Sequence, residues 1–184
     1  MKAIYLSSFA LITMALLPFP LHADNSGKDL ELFSATSWRF NAGKEFKPGG
    51  GGSFTLEKEE GMDIGVLKFD FTSGGAYVGG RTNVNLEKGN YSELRFQAKS
   101  DTAQKLSIRF IDDTKQWHQF KLKYSKAGEW ELFRIELNNV KHKHFGGAND
   151  GVIHYPIKMI EFLVSNSQDV YEGDVKFSNV KLLE

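Results

Sequence analysis

Tyr77, Arg81, Arg109, Trp117 and Gln119 each fall on the polar phase of a two-residue alternation whose apolar phase reads as core. Tyr77, Arg81 and Asn83 alternate with Val78, Thr82, Val84 and Leu86, and Arg109 with Leu106, Ile108 and Phe110. Trp117, Gln119 and Lys121 alternate with Phe120, Leu122 and Tyr124. Successive side chains of a strand point to opposite faces, so these residues are expected to face outward. Arg95, Gln97, Arg134 and Glu161 share that parity. Arginine's planar fork binds hydroxyls and carboxylates in pairs and stacks on rings, which a lysine point charge does not do. Beside it, a flat aromatic plate takes the C–H face of a sugar ring while Gln and Asn take its hydroxyls. These five residues, with Tyr155 at a loop edge, are the candidate ligand-binding set, and the arginines tilt the ligand towards an acidic sugar. A plain solvated sheet face would carry similar residues. Parity alone does not say which strands share a sheet.

The longest break between strand patterns runs from His142 to Pro156. Gly146-Gly147 and Asp150-Gly151 are turn signals, since glycine reaches positive φ without steric cost. The loop holds His142, His144 and His154 around Asp150, a set that a transition metal could use only weakly as spaced. We expect no essential metal there; a structural calcium on Asp or carbonyl oxygens is the one cofactor left open. Nucleophilic catalysis has no foothold: there is no cysteine and no Gly-x-Ser-x-Gly. For glycoside hydrolysis, which needs two carboxyls flanking one bond, Glu131 and Glu161 are candidates only as any acid in the chain is. No catalytic residue is assigned.

The elements that position these groups are short strands. Leu67, Phe69 and Phe71; Leu94, Phe96 and Ala98; Phe133, Ile135 and Leu137; Ile160, Phe162 and Val164 all keep period two, as do Phe54 and Leu56. Val175, Phe177, Val180 and Leu182 do so with Ser178-Asn179 as a bulge. Turn signals separate them, and no 3.6-residue stripe is sustained. The expectation is an all-β, antiparallel two-sheet jelly-roll β-sandwich of about ten strands. Residues 36–184 form it as a single domain, and residues 24–35 read as a polar N-terminal tail. The four glycines from Gly49 to Gly52 read as a flexible loop.

Residues 1–23 read as a signal peptide: Lys2, an apolar run to Leu17, then Pro18, Pro20 and Ala23 before the cut. The mature protein is expected to be periplasmic or secreted, with no membrane span. Removing Lys2 from a chain with 23 basic and 23 acidic residues leaves a formal charge of −1. Such a balance disfavours nucleic acid as a partner.

Two blocks of sequence carry a resemblance. One is Asp70-Phe71-Thr72-Ser73-Gly74-Gly75-Ala76-Tyr77-Val78 with Leu106 to Asp113 and Trp117-His118-Gln119-Phe120. The other is Trp130-Glu131-Leu132-Phe133 with His144-Phe145-Gly146-Gly147-Ala148-Asn149-Asp150-Gly151 and Pro156. Together they resemble the carbohydrate-binding-module-like, galactose-binding-like β-sandwich domains that precede catalytic domains in bacterial glycoside hydrolases. The resemblance implies a non-catalytic domain that binds a polysaccharide or oligosaccharide, with Trp130 packed into the sandwich. Where such modules often carry an acidic pair before the last strand, this chain has Ser178-Asn179, a departure at their calcium site. Ser92-Glu93-Leu94-Arg95 and Tyr124-Ser125-Lys126-Ala127-Gly128 are similar in part to motifs of jelly-roll alginate lyases, the alternative reading; a Gln-Ile-His motif is absent. A protein-interaction subunit of an envelope assembly is a third reading, because an aromatic-and-Arg patch also suits protein partners.

Overall fold

A computed structural model describes residues 29–102, 105–137, 142–167 and 169–184. The leader-like residues 1–23 lie outside the described residues. The first element is a short strand, β1 (Leu30–Glu31), followed by one helical turn, α1 (Leu32–Ala35). Eleven further strands follow: β2 (Trp38–Asn41), β3 (Gly51–Glu59), β4 (Met62–Asp70), β5 (Tyr77–Leu86), β6 (Glu93–Lys99), β7 (Lys105–Ile111), β8 (Trp117–Lys123), β9 (Glu131–Glu136), β10 (Lys143–Phe145), β11 (Ile157–Ser165) and β12 (Glu172–Leu183). They form two sheets in the orders β3-β4-β12-β6-β9 and β10-β8-β7-β11-β5-β2, with β1 added against β12. Every pairing is antiparallel. The jelly-roll sandwich expected from period two is the observed architecture. Among the described residues no helix is long and apolar enough to cross a membrane.

The apolar phase of each strand supplies the core. Leu67, Leu94, Phe96, Ile108, Phe110, Ile160, Phe162, Val175 and Leu182 are all fully buried between the sheets. The bulge lies where Ser178-Asn179 predicts it: the β12–β6 register shifts between Ser178 and Lys181, and Asn179 takes φ 50°. Gly80 lets the two layers meet, because a Cβ there would come within 2.1 Å of the Phe54 ring. Leu56 departs from the pattern. It is 44% exposed, because β3 is an edge strand whose hairpin with β4 runs past the core.

Residues 29–35 are more firmly held than polarity suggests. Leu30 and Glu31 pair with Leu182 and Lys181, and Leu32 and Phe33 are buried in the core. The glycine run is also part strand: Gly51 and Gly52 open β3 opposite Asp70 and Phe69.

Candidate functional site

The outer face of the second sheet carries a row of polar side chains set by strand register. Arg39 pairs with Arg81, Arg81 with Glu161, Glu161 with Arg109, Arg109 with Gln119, and Gln119 with Lys143. The row crosses six strands, so residues as far apart in the chain as Arg81 and Glu161 become neighbours. Above it opens a groove of about 890 Å³, lined by Tyr77, Arg81, Arg109 and Trp117 together with Phe40, Asn41, Ala42, Lys44, Glu45, Phe46 and Phe145.

Arg109 is the hub. Its guanidinium carbon lies 4.5 Å from the Tyr77 ring centroid, 5.5 Å from Trp117 and 5.7 Å from Phe145. Its Nε donates to Gln119 Oε1 at 3.0 Å, and Gln119 Nε2 donates in turn to Ser107 Oγ at 3.2 Å. Cation–π contacts on that many faces leave the fork little freedom, so a ligand meets a donor that is already oriented. The Trp117 and Phe145 rings lie nearly parallel, 6.1 Å apart at 9°, because Phe145 sits opposite Trp117 in the β10–β8 register.

Beneath the arginines lies a fully buried carboxylate, Glu161. Asn41 Nδ2 donates to its Oε1 at 2.7 Å, and its Oε2 stands 3.8 Å from Arg109 with no hydrogen-bond partner. Arg81 Nε is likewise buried without a hydrogen-bond partner. Burial pushes the Glu161 carboxyl up, against the opposing pull of Asn41 and the Arg109 and Arg81 charges. The more of it that is protonated, the more of the guanidinium charge faces the groove. A carboxyl raised in this way favours the fold below its ordinary pKa, and that contribution is lost as pH rises through its folded pKa. Glu161→Gln is therefore expected to remove a decline in stability that the wild type shows as pH rises from about 4.5 towards neutrality. Denaturant melts of both proteins across that range would show it; parallel curves would contradict it.

The second wall is the segment from Ala42 to Gly50, closed on itself by Phe46 N to Gly43 O, Gly49 N to Phe46 O and Gly50 N to Ala42 O. It brings Phe46, which is 54% exposed, edge-on to Tyr77 at 6.2 Å. Glu45 accepts from the Tyr77 hydroxyl.

Of the six residues expected from sequence, four line the groove and two do not. Gln119 braces Arg109 from the side. Tyr155 is half-buried against the core, with its hydroxyl 3.5 Å from Leu137 O, and does not line the groove. Tyr77 points outward as parity requires, but it is only 4% exposed. Arg109 lies over its ring, so it cannot serve as an open plate. The open apolar surfaces are Trp117, Phe145 and Phe46. Phe145 was visible within Phe-Gly-Gly-Ala-Asn-Asp-Gly, but only pairing with Trp117 places it. Nothing local marks Lys44, Glu45 or Phe46.

The histidine loop has a different role. His118 and Asp112 are buried, with His118 Nε2 3.0 Å from Asp112 Oδ2 and His118 Nδ1 2.7 Å from His142 Nε2. Gln116 binds Asp150 Oδ1 and Val152 O through Nε2 and receives Gly151 N at Oε1. Gly147 fits against this anchor at φ 51°, where a Cβ would come within 2.3 Å of Gln116 N. The network pins the loop, and β10 with it, so that Phe145 is delivered to the groove. Among the described residues no group of three or more His, Cys, Asp or Glu is placed to hold a metal ion. Glu131 accepts from Ser125 N at 2.9 Å on the other sheet, so it does not face Glu161 across any bond. Tyr124 is buried, and its hydroxyl is taken up by Ser100 O, Lys126 O, Glu129 O and Ser100 N. It is a structural brace, unlike the tyrosine that the lyase resemblance implies.

No family model matches the chain, and no curated protein matches it. Solved structures do. The family 11 carbohydrate-binding module from Clostridium thermocellum, in complex with a β-1,3-1,4-mixed-linked tetrasaccharide, superposes with a TM-score of 0.63 at 14% identity, over 79% of this chain and 88% of that one. An agarase matches with a TM-score of 0.56 at 13% identity, over 89% of this chain and 24% of its own. An exo-β-agarase matches at 0.51 and 11%, over 78% and 23%. The chain therefore has the β-sandwich fold of carbohydrate-binding modules, as the sequence resemblance implies.

Proposed function

We propose that the protein is a non-catalytic carbohydrate-binding domain that holds a polysaccharide or oligosaccharide in the groove of its second sheet. The single observation that carries this reading is the braced Arg109 between flat aromatic surfaces. It offers ring-stacking area and oriented donors side by side, the pairing a sugar needs. Trp117, Phe145 and Phe46 would take C–H faces; Arg109, Arg81, Lys44 and Glu45 would take hydroxyls. The two guanidiniums favour a sugar that bears a carboxylate, since Arg–carboxylate contacts are bidentate and charge-assisted. Export by the leader-like residues 1–23 fits this role, because polymeric glycans are met outside the cytoplasm.

The test is a calorimetric titration of the mature protein with oligosaccharides, alongside Trp117→Ala. Trp117 is half-buried and makes its ring contacts at the groove, so its loss is expected to weaken glycan binding by about 1–3 kcal/mol. Stability should change by less than about 1 kcal/mol, as at an ordinary surface site. Unchanged affinity in the alanine variant would remove the groove from the reading.

A further inference from the structure

The charge on the groove face does not end at the groove. Lys105, Lys121, Lys123 and Lys143 fall on the outward phase of β7, β8 and β10, the phase that carries Arg109, Gln119 and Phe145. All four are exposed. Lys105 lies directly opposite Lys123, and Arg39 directly opposite Arg81. Like charges facing each other across two strands are destabilising. Against these lysines and the arginines Arg39, Arg81 and Arg109, the strands of this face present one carboxylate, the buried Glu161.

The opposite sheet also sets like charges across strands, Arg95 opposite Arg134 and Lys176 opposite Lys99, but carboxylates accompany them. There Lys176 pairs with Glu59, Lys181 with Glu31, Arg95 with Glu93 and Lys58 with Asp63. Among the described residues, none of Lys105, Lys121, Lys123 and Lys143 has an ion-pair partner. A chain with 23 basic and 23 acidic side chains thus concentrates an excess of positive charge on the face that also holds the groove. Glu161 and the groove-wall Glu45 answer the arginines there, but among the described residues no ion pair answers the four lysines. The sequence-wide balance hides this asymmetry.

The geometry points to a lysine-lined extension of the groove along β8, taking the further negative charges of a polyanionic glycan whose first acidic sugar is held by Arg81 and Arg109. This rests on glycan binding in the groove and adds the ligand class: a chain with carboxylates or sulfates on successive sugars. Side chains two apart on a strand are about 6.7 Å apart, so Gln119, Lys121 and Lys123 make a track leading away from Arg109. Cations on an exposed rim act mainly on association rate and salt dependence, whereas the oriented groove sets the residence time.

The probes are fragments of alginate, polygalacturonate and heparin, two and eight sugars long, with a neutral mixed-linked β-glucan tetrasaccharide and single-stranded oligothymidylate as comparisons. Each is titrated at low and physiological salt against the wild type, Lys121→Gln/Lys123→Gln and Trp117→Ala. In the wild type an acidic octasaccharide is expected to bind more tightly than its disaccharide and to weaken with salt. The double lysine variant should lose about tenfold for the octasaccharide, chiefly in association rate, and nothing for the disaccharide or the neutral probe. If the lysine variant holds every affinity while Trp117→Ala weakens them, the extension is wrong and the groove stands. If acidic fragments bind no better than the neutral probe, the ligand class is wrong. Oligothymidylate outcompeting all glycans, or Trp117→Ala leaving every glycan unaffected, would overturn both the extension and the glycan reading beneath it.

Discussion

Replacing Trp38, which is half-buried but packed against the core, with alanine is expected to destabilise the protein by about 3 kcal/mol, the low end of the range for truncating a large aromatic. Trp38 stands nearly parallel to Phe54 at 5.3 Å and to Phe162 at 5.6 Å, so one ring comes from each sheet. Phe33 meets it edge-on at 5.2 Å, and its Nε1 donates to Leu32 O at 3.3 Å. Alanine would leave a cavity lined by rings from both sheets and would remove the edge-on contact and the hydrogen bond that Trp38 gives the α1 segment. Trp130, the tryptophan that the sequence resemblance places in the core, is half-buried and outside the core cluster. Trp130→Ala is expected to cost less than about 1.5 kcal/mol, in the range of a partly exposed site. Paired denaturant melts decide the comparison, and equal losses would mean that the two tryptophans share the packing.

Asp112→Ala is the second large effect, at about 3–5 kcal/mol, as for removing one partner of a buried, hydrogen-bonded charge. Asp112 Oδ1 accepts from Thr114 N and Gln116 N at 3.0 Å each and from Thr114 Oγ1 at 2.8 Å. Its Oδ2 accepts from His154 N at 3.1 Å and faces His118 at 3.0 Å. Deletion strands these donors and releases the loop that presents Phe145, so groove affinity should fall along with stability. The same residue sets an acid limit. Burial works to raise the Asp112 carboxyl, but His118, His154 N, Thr114 and Gln116 outweigh it and lower its pKa to about 2 from 3.8. Because the folded pKa is depressed, the stabilisation is present above the ordinary carboxyl value and is lost as pH falls through about 2. With solvent screening allowed for, that contribution is about 1–2 kcal/mol. Melts between pH 5 and 2 should show the wild type losing this increment and the alanine variant not losing it.

Parity was legible because it is local. Alternating Leu106, Ile108 and Phe110 must face the core wherever their strand is placed, so Arg109 must face away. The same logic placed Trp117, Gln119 and Arg81 outward and located the bulge at Ser178-Asn179. Register between strands is not local. The five arginines after residue 23 look alike in the sequence, yet pairing sends Arg39, Arg81 and Arg109 to the groove face. It sends Arg95 and Arg134 to the other sheet, opposite each other. Long-range pairing also turned Glu161 from an outward acid into a buried one, because Arg81 and Arg109 flank it from both neighbouring strands.

Tyr155 was expected from its place at a loop edge, and Trp130 from the family resemblance; both precede a strand, where neither signal fixes side-chain direction and only packing decides it. The segment from Ala42 to Phe46 has no period at all, and it became a groove wall only by folding back over Tyr77. The sequence by itself therefore determined a two-sheet β-sandwich and which side chains face away from its core, because strand geometry forces both. Tertiary structure alone decided which of those side chains meet, because meeting depends on hydrogen-bonded register between strands far apart in the chain.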